Sequence, residues 1–126
     1  MFRRDYEFGR VSEQTIKPIL ERYFDDELSD TASYSQYDWR GRKNVYELKT
    51  RRNAYNKYPT TMIGADKVCD NAIFIFAFTD GIYYIPYDEE QFKEFVCQDF
   101  RRFRQGVRDV EKPYYYIPIE CLRRIE

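Results

Sequence analysis

The sequence predicts a mixed α/β domain, a central sheet flanked by helices, on three observations. Apolar residues recur at helical steps before residue 24, and Ala72 to Phe78 is an unbroken apolar run of strand length. Between them, Tyr37 to Arg51 reads as two strands around a tight basic turn. Residues 1–126 suffice for one domain with a single core. A hydrophobic fraction of 43% and an aromatic fraction of 19% exclude a disordered or low-complexity chain.

Taken in order, Ile16, Leu20, Tyr23 and Phe24 form a helical stripe that Ile19 widens. Pro18 removes a backbone donor, so the helix either kinks there or begins near Ser12 or Thr15. Asp25 to Asp30 reads as a solvated acidic turn, and Thr31 to Tyr37 as an edge-leaning strand. After the hairpin, Asn53 to Thr61 is a loop. Thr60 or Thr61 then caps a short helix over residues 61–71, with Met62, Ile63, Ala65 and Val68 as its apolar side. Thr79-Asp80-Gly81 turns the apolar strand into a partner, Ile82 to Tyr87. Asp88 to Glu90 opens a second amphipathic helix through Phe92, Phe95, Val96, Phe100 and Phe103, whose last turns carry Arg101, Arg102, Arg104 and Arg108. Tyr114 to Ile117, bracketed by Pro113 and Pro118, is a short edge strand, and Glu120 to Glu126 a short terminal element.

Composition narrows the chemistry. Histidine is absent, which removes Ser-His-Asp and Cys-His catalysis, imidazole zinc sites and histidine general bases. Cys69, Cys97 and Cys121 have no metal-ligand spacing and are expected to pack as small apolar residues in a reducing compartment. No run of about 18 apolar residues offers a membrane span. Met1 to Asp5 is charged with no apolar stretch behind it, so no secretory signal and a cytoplasmic location are expected. Net charge is −1, yet residues 40–57 hold Arg40, Arg42, Lys43, Lys49, Arg51, Arg52 and Lys57 against one acid, Glu47. That segment is where an anion is expected.

Strand alternation puts Glu47, Lys49 and Arg51 on one face and Tyr46, Leu48 and Thr50 on the other. If the hairpin closes on Gly41 to Asn44, Arg40 faces Val45 and Asp38 faces Glu47, with side chains about 5 Å apart. Two facing carboxylates repel, and a hard divalent cation has use for that pairing. Mg²⁺ or Mn²⁺ held by Asp38, Glu47 and the Leu48 carbonyl is the set that phosphodiester hydrolysis needs, with Lys49 assisting the attacking water. The bland alternative is a solvated sheet face with Asp38 paired to Arg40 or Arg51. Glu13 lies off the apolar stripe with Lys17 one turn on, and by itself reads as a surface residue in an i,i+4 pair. Tyr55, Tyr58 and Trp39 either stack on bases or pack.

Asp38, the Glu47-Leu48-Lys49 tripeptide and the upstream helix with Glu13 resemble the PD-(D/E)xK nuclease superfamily, over roughly residues 5–79. Tyr37 stands where that motif has proline. The resemblance implies a restriction endonuclease-like fold, as in Holliday junction resolvases and small phage or viral nucleases. It assigns catalysis to Glu13, Asp38, Glu47 and Lys49, the metal to Asp38 and Glu47, and a basic phosphate contact to the next helix, at Lys67. With the flanking Arg40, Arg42, Lys43, Arg51, Arg52 and Lys57, the expected activity is cleavage of duplex or branched DNA, a homodimer being the form that engages it. In a phage or virus the location would be host cytoplasm. The alternative is a nucleic-acid-binding or assembly protein that keeps the fold without turnover, and a third reading makes Tyr114 to Ile117 a protein contact.

Overall fold

The computed structural model describes residues 2–32, 35–101, 105, 106, 108 and 110–126, residues 2–12 by backbone alone. A helix, α1 (Phe2–Phe24), precedes β1 (Ser29–Asp30), β2 (Trp39–Arg40), β3 (Val45–Thr50) and β4 (Thr60–Gly64). After a 3-10 turn at Ala65–Lys67 come β5 (Ala72–Phe78), β6 (Gly81–Pro86) and the one-turn α2 (Glu89–Phe92). The chain then runs through β7 (Val96–Phe100), β8 (Lys112–Pro118), a 3-10 turn at Ile119–Cys121 and β9 (Arg123–Arg124).

The main sheet has the order β1-β2-β3-β5-β6-β9, and β3 and β5 at its centre are parallel while every other pair is antiparallel. Phe74, Ile75 and Phe76 of β5 are fully buried, which is what an apolar run without alternation requires. Helix α1 covers one face, placing Ile16 and Leu20 against Tyr46, Leu48, Ile73 and Ile75. It continues through Pro18 rather than starting after it. Past Phe24 the chain turns through Asp25 at φ 49, and the Asp26 amide closes back on the Glu21 carbonyl at 3.2 Å, a Schellman-type stop.

The other face is covered by a second sheet, β4-β8-β7, and not by helices. Ile63 and Ile117 pack there against Phe74, Phe76 and Phe92. Residues 60–64 are therefore a strand where a helix is predicted. Thr61 and Ile63 alternate inward and lie opposite Ile117 and Tyr115, so a β-branched segment gains cross-strand partners that a helix would forgo. The second helix likewise stops at Phe92: Asp88 caps it, accepting from the Gln91 amide at 3.1 Å, and Val96–Phe100 pairs with β8. Phe92 and Phe95 reach the core, whereas Val96 and Phe100 are exposed. Phe103, Arg102 and Arg104 lie outside the described residues, and Arg101 and Arg108 are exposed.

Three smaller expectations change. Tyr114 to Ile117 belongs to the middle strand of its sheet, with Pro113 and Pro118 confined to the strand's ends. The described part of Thr31 to Tyr37 is not a strand. Bonds from the Thr31 hydroxyl to the Tyr37 and Asp38 carbonyls, and from the Tyr37 amide to the Ser35 hydroxyl, take over its backbone groups. Cys97 is exposed rather than packed, while Cys69 and Cys121 are half-buried and all three are free. No helix among the described residues is long and apolar enough to cross a membrane.

Candidate active site

The hairpin supplies the site. Trp39 pairs with Tyr46 and Arg40 with Val45, the register that closure on Gly41 to Asn44 predicts, and the Gly41 amide bonds the Asn44 carbonyl at 2.9 Å. A Cβ on Gly41 would stand 1.9 Å from Asp26 Oδ2, so only glycine leaves room for that carboxylate. Asp26 is not solvated. It accepts from the Arg42 amide at 3.1 Å, Arg42 Nε at 3.2 Å and the Tyr46 hydroxyl at 3.1 Å, binding the end of α1 to the turn.

The paired ladder ends one step before Asp38 and Glu47. The Asp38 amide still donates to the Tyr46 carbonyl at 2.9 Å, but Asp38 Oδ2 takes the Leu48 amide at 2.7 Å in place of a backbone acceptor. The carboxylate is thereby pinned to β3 at the middle of Glu47-Leu48-Lys49. Burial raises the Asp38 carboxyl above its ordinary range, opposed by the Leu48 amide and by the charges of Lys49 and Lys67.

Glu47 is only 6% exposed, on the side of β3 that faces the second sheet. Its Oε1 stands 3.1 Å from Lys49 Nζ and 4.0 Å from Lys67 Nζ. Burial pushes its carboxyl up; Lys49 pulls it down, Asp38 pushes it further up and Lys67 pulls it down. A buried glutamate is not a solvated sheet face, and Asp38 bonds a backbone amide rather than Arg40 or Arg51. Glu13 is exposed on α1. Its carboxyl is raised by partial burial and then by the charges of Asp38 and Asp30. For an exposed residue the second cause is the informative one: Asp38 is close enough to repel it. Lys17 pairs with Asp30 at 3.6 Å.

Asp38 and Glu47 offer two hard donors whose charges oppose each other, which matches the one or two carboxylates that Mg²⁺ takes while keeping its waters. Among the described residues no cluster of three or more metal-donor side chains occurs, so Glu13 does not close a three-acid cage.

The basic residues divide by place. β3 spans about 17 Å, with Arg40, Arg42 and Lys43 at its start and Arg51 and Arg52 at its end. Arg42 is held by Asp26 and by the Asp25 carbonyl. Arg51 donates to the Met62 carbonyl at 2.9 Å and lies over the Phe76 ring. Arg40, Lys43, Arg52 and Lys57 are exposed. Lys67 sits on the 3-10 turn after β4 rather than in a helix, donating to the Gln36 carbonyl at 3.1 Å and standing 4.0 Å from Glu47 Oε1.

Between the end of β3 and the second sheet lies a cavity of ≈ 810 Å³, lined in part by Lys49, Arg51, Tyr58, Lys67, Phe100 and Lys112. Phe100 and Lys112 were not readable as site residues, because they reach it only through the β7-β8 pairing. Trp39, 3% exposed under α1, is core rather than a stacking platform. Tyr55 is stacked on Tyr83 at 4.1 Å, its hydroxyl donating to the Ile119 carbonyl at 2.7 Å. Comparison with protein families, curated proteins and solved structures finds no match to this chain.

Proposed function

We propose that this protein is a Mg²⁺- or Mn²⁺-dependent endonuclease of the PD-(D/E)xK type, restriction endonuclease-like in fold, that hydrolyses phosphodiester bonds in DNA. The observation that carries the reading is Glu47, a buried carboxylate kept beside a second acid and touched by Lys49 at 3.1 Å. A strand face built for stability alone would bury an apolar residue there. The arrangement of α1, an antiparallel hairpin and a parallel neighbour to its second strand supports the same reading.

Asp38 and Glu47 would hold the ion, with the Leu48 carbonyl as a further hard ligand; a bound Mg²⁺ supplies Lewis acidity and a more acidic water. Lys49 orients the attacking water and steadies the charge that develops on the phosphate. Glu13, whose carboxyl the Asp38 charge raises, adds a third acid on the α1 side of the site. Arg40, Lys43, Arg51, Arg52, Lys57 and Lys67 meet flanking phosphates, while Arg42 serves the turn first. A homodimer is the form proposed for duplex or branched DNA.

Incubation of supercoiled and branched DNA with Mg²⁺, with and without EDTA, tests this. Cleavage should require the metal and fall by at least about a hundredfold in Asp38→Ala and in Lys49→Ala. Cleavage in EDTA, or survival in both variants, would falsify the mechanism. A second reading, a binding protein without turnover, is favoured by one observation: two lysines already flank Glu47 Oε1. Salt-dependent DNA binding with no metal-dependent cleavage would select it.

A further inference from the structure

The cavity beside Lys49 has a chemistry that the two carboxylates do not explain. Its lining carries four cations, Lys49, Arg51, Lys67 and Lys112, and no Asp or Glu among the described residues. Lys49 and Lys67 pair with Glu47, and Lys112 pairs with Asp66, an exposed acid; neither acid lines the cavity. Two aromatic rings on its rim are exposed, Tyr58 at 55% from the loop before β4 and Phe100 at 39% from β7. Lys57 Nζ stands 5.8 Å from the Tyr58 ring centroid, adding a further cation at that rim. Tyr58 precedes the end of β4 that pairs with Pro118, and Phe100 pairs with Lys112 at the other end of β8. Large rings left in water at the two ends of a basic cleft gain most from flat, anion-bearing guests. A volume of ≈ 810 Å³ lies within the range of about 300–1,000 Å³ that small-ligand sites span.

We propose that this cavity takes an unpaired stretch of the nucleic acid, with bases against Tyr58 and against Phe100 and phosphates against Lys112, Lys67 and Arg51. The inference rests on the nuclease reading for the polymer and deepens it by naming the form of substrate. A base inside a duplex is stacked on both faces and cannot present one to Tyr58, so the substrate is a strand end, flap or gap rather than continuous duplex. Lys49 lines the cavity and also touches Glu47, so a nucleotide seated there lies beside the residues proposed to cut.

The test is fluorescence anisotropy of a short labelled oligothymidylate with the full chain in EDTA, competed by a blunt duplex of equal length. The single strand should bind at least about tenfold more tightly than the duplex, and Tyr58→Ala and Phe100→Ala should each weaken it about tenfold. Tyr58→Phe, which keeps the ring, should bind as the parent does. Lys112→Ala should lower the slope of log affinity against log salt by about 0.7. Equal competition by duplex, or ring variants that bind unchanged, overturns the proposal. Oligothymidylate binding of this pattern without any Mg²⁺-dependent cleavage keeps it and removes the nuclease reading. Metal-dependent cleavage with both ring variants binding normally does the reverse.

Discussion

Asp38 and Glu47 are both held above the ordinary carboxylate range, by burial first and, for Glu47, also by the charge of Asp38. Between the unfolded values and the raised ones, the folded chain therefore binds more protons than the unfolded chain. Stability from these two acids is greatest on the acid side, declines as pH rises through that window, and then levels off. In EDTA, Asp38→Asn should raise the melting temperature more at pH 8 than at pH 4; an equal shift at both would remove this account of the site's strain. Mg²⁺ should stabilise the parent chain, by about 2.7 kcal/mol at a concentration a hundredfold above its dissociation constant, and Asp38→Asn should lose that gain. Differential scanning at graded Mg²⁺ reads both. The acids were legible as a pair because strand alternation and the Gly41 turn are local. That Asp38 bonds the Leu48 amide was not, since it depends on where the ladder stops.

At the scale of elements, α1 shows local pattern and local chemistry in conflict. The stripe of Ile16 and Leu20 packs on the sheet as its spacing implies, and Pro18 sits inside the helix, leaving the Gln14 carbonyl without its helical donor. Burial of the stripe outweighs that loss. Pro18→Ala should therefore raise stability, by up to about 3 kcal/mol, read as a higher urea midpoint at unchanged slope. A lower midpoint would mean that the proline is required for the helix path. Where periodicity misled, the reason is the same at both places. Met62, Ile63, Ala65 and Val68 satisfy a helical stripe, as do Phe92, Phe95, Val96 and Phe100, but each segment also contains a strand-length stretch that the tyrosine-rich β8 can pair. A non-local partner overrode the local period.

At the scale of the whole molecule, the second sheet closes one core and walls the cavity. Ile117, fully buried near the end of β8, packs with Ile63 and Phe74 beneath the sheet whose Lys112 and Tyr114 line the cavity. Ile117→Ala should cost about 2–5 kcal/mol and weaken oligothymidylate binding with it. A loss in urea unfolding with binding intact would show that the sheet's packing and the cavity are independent. Sequence sufficed for the hairpin, its register, the carboxylate and lysine on one strand face, and the central buried strand, because each follows from alternation, turn residues or an apolar run within a few positions. It also sufficed to exclude histidine chemistry. Tertiary structure decided that the cover opposite α1 is a sheet, that Lys67 stands beside Glu47, and that Phe100 and Lys112 share a cavity with Lys49. Those juxtapositions join residues 20 to more than 60 positions apart, and the pairing of β8 with β4 and β7 is what brings Phe100 and Lys112 to the cavity.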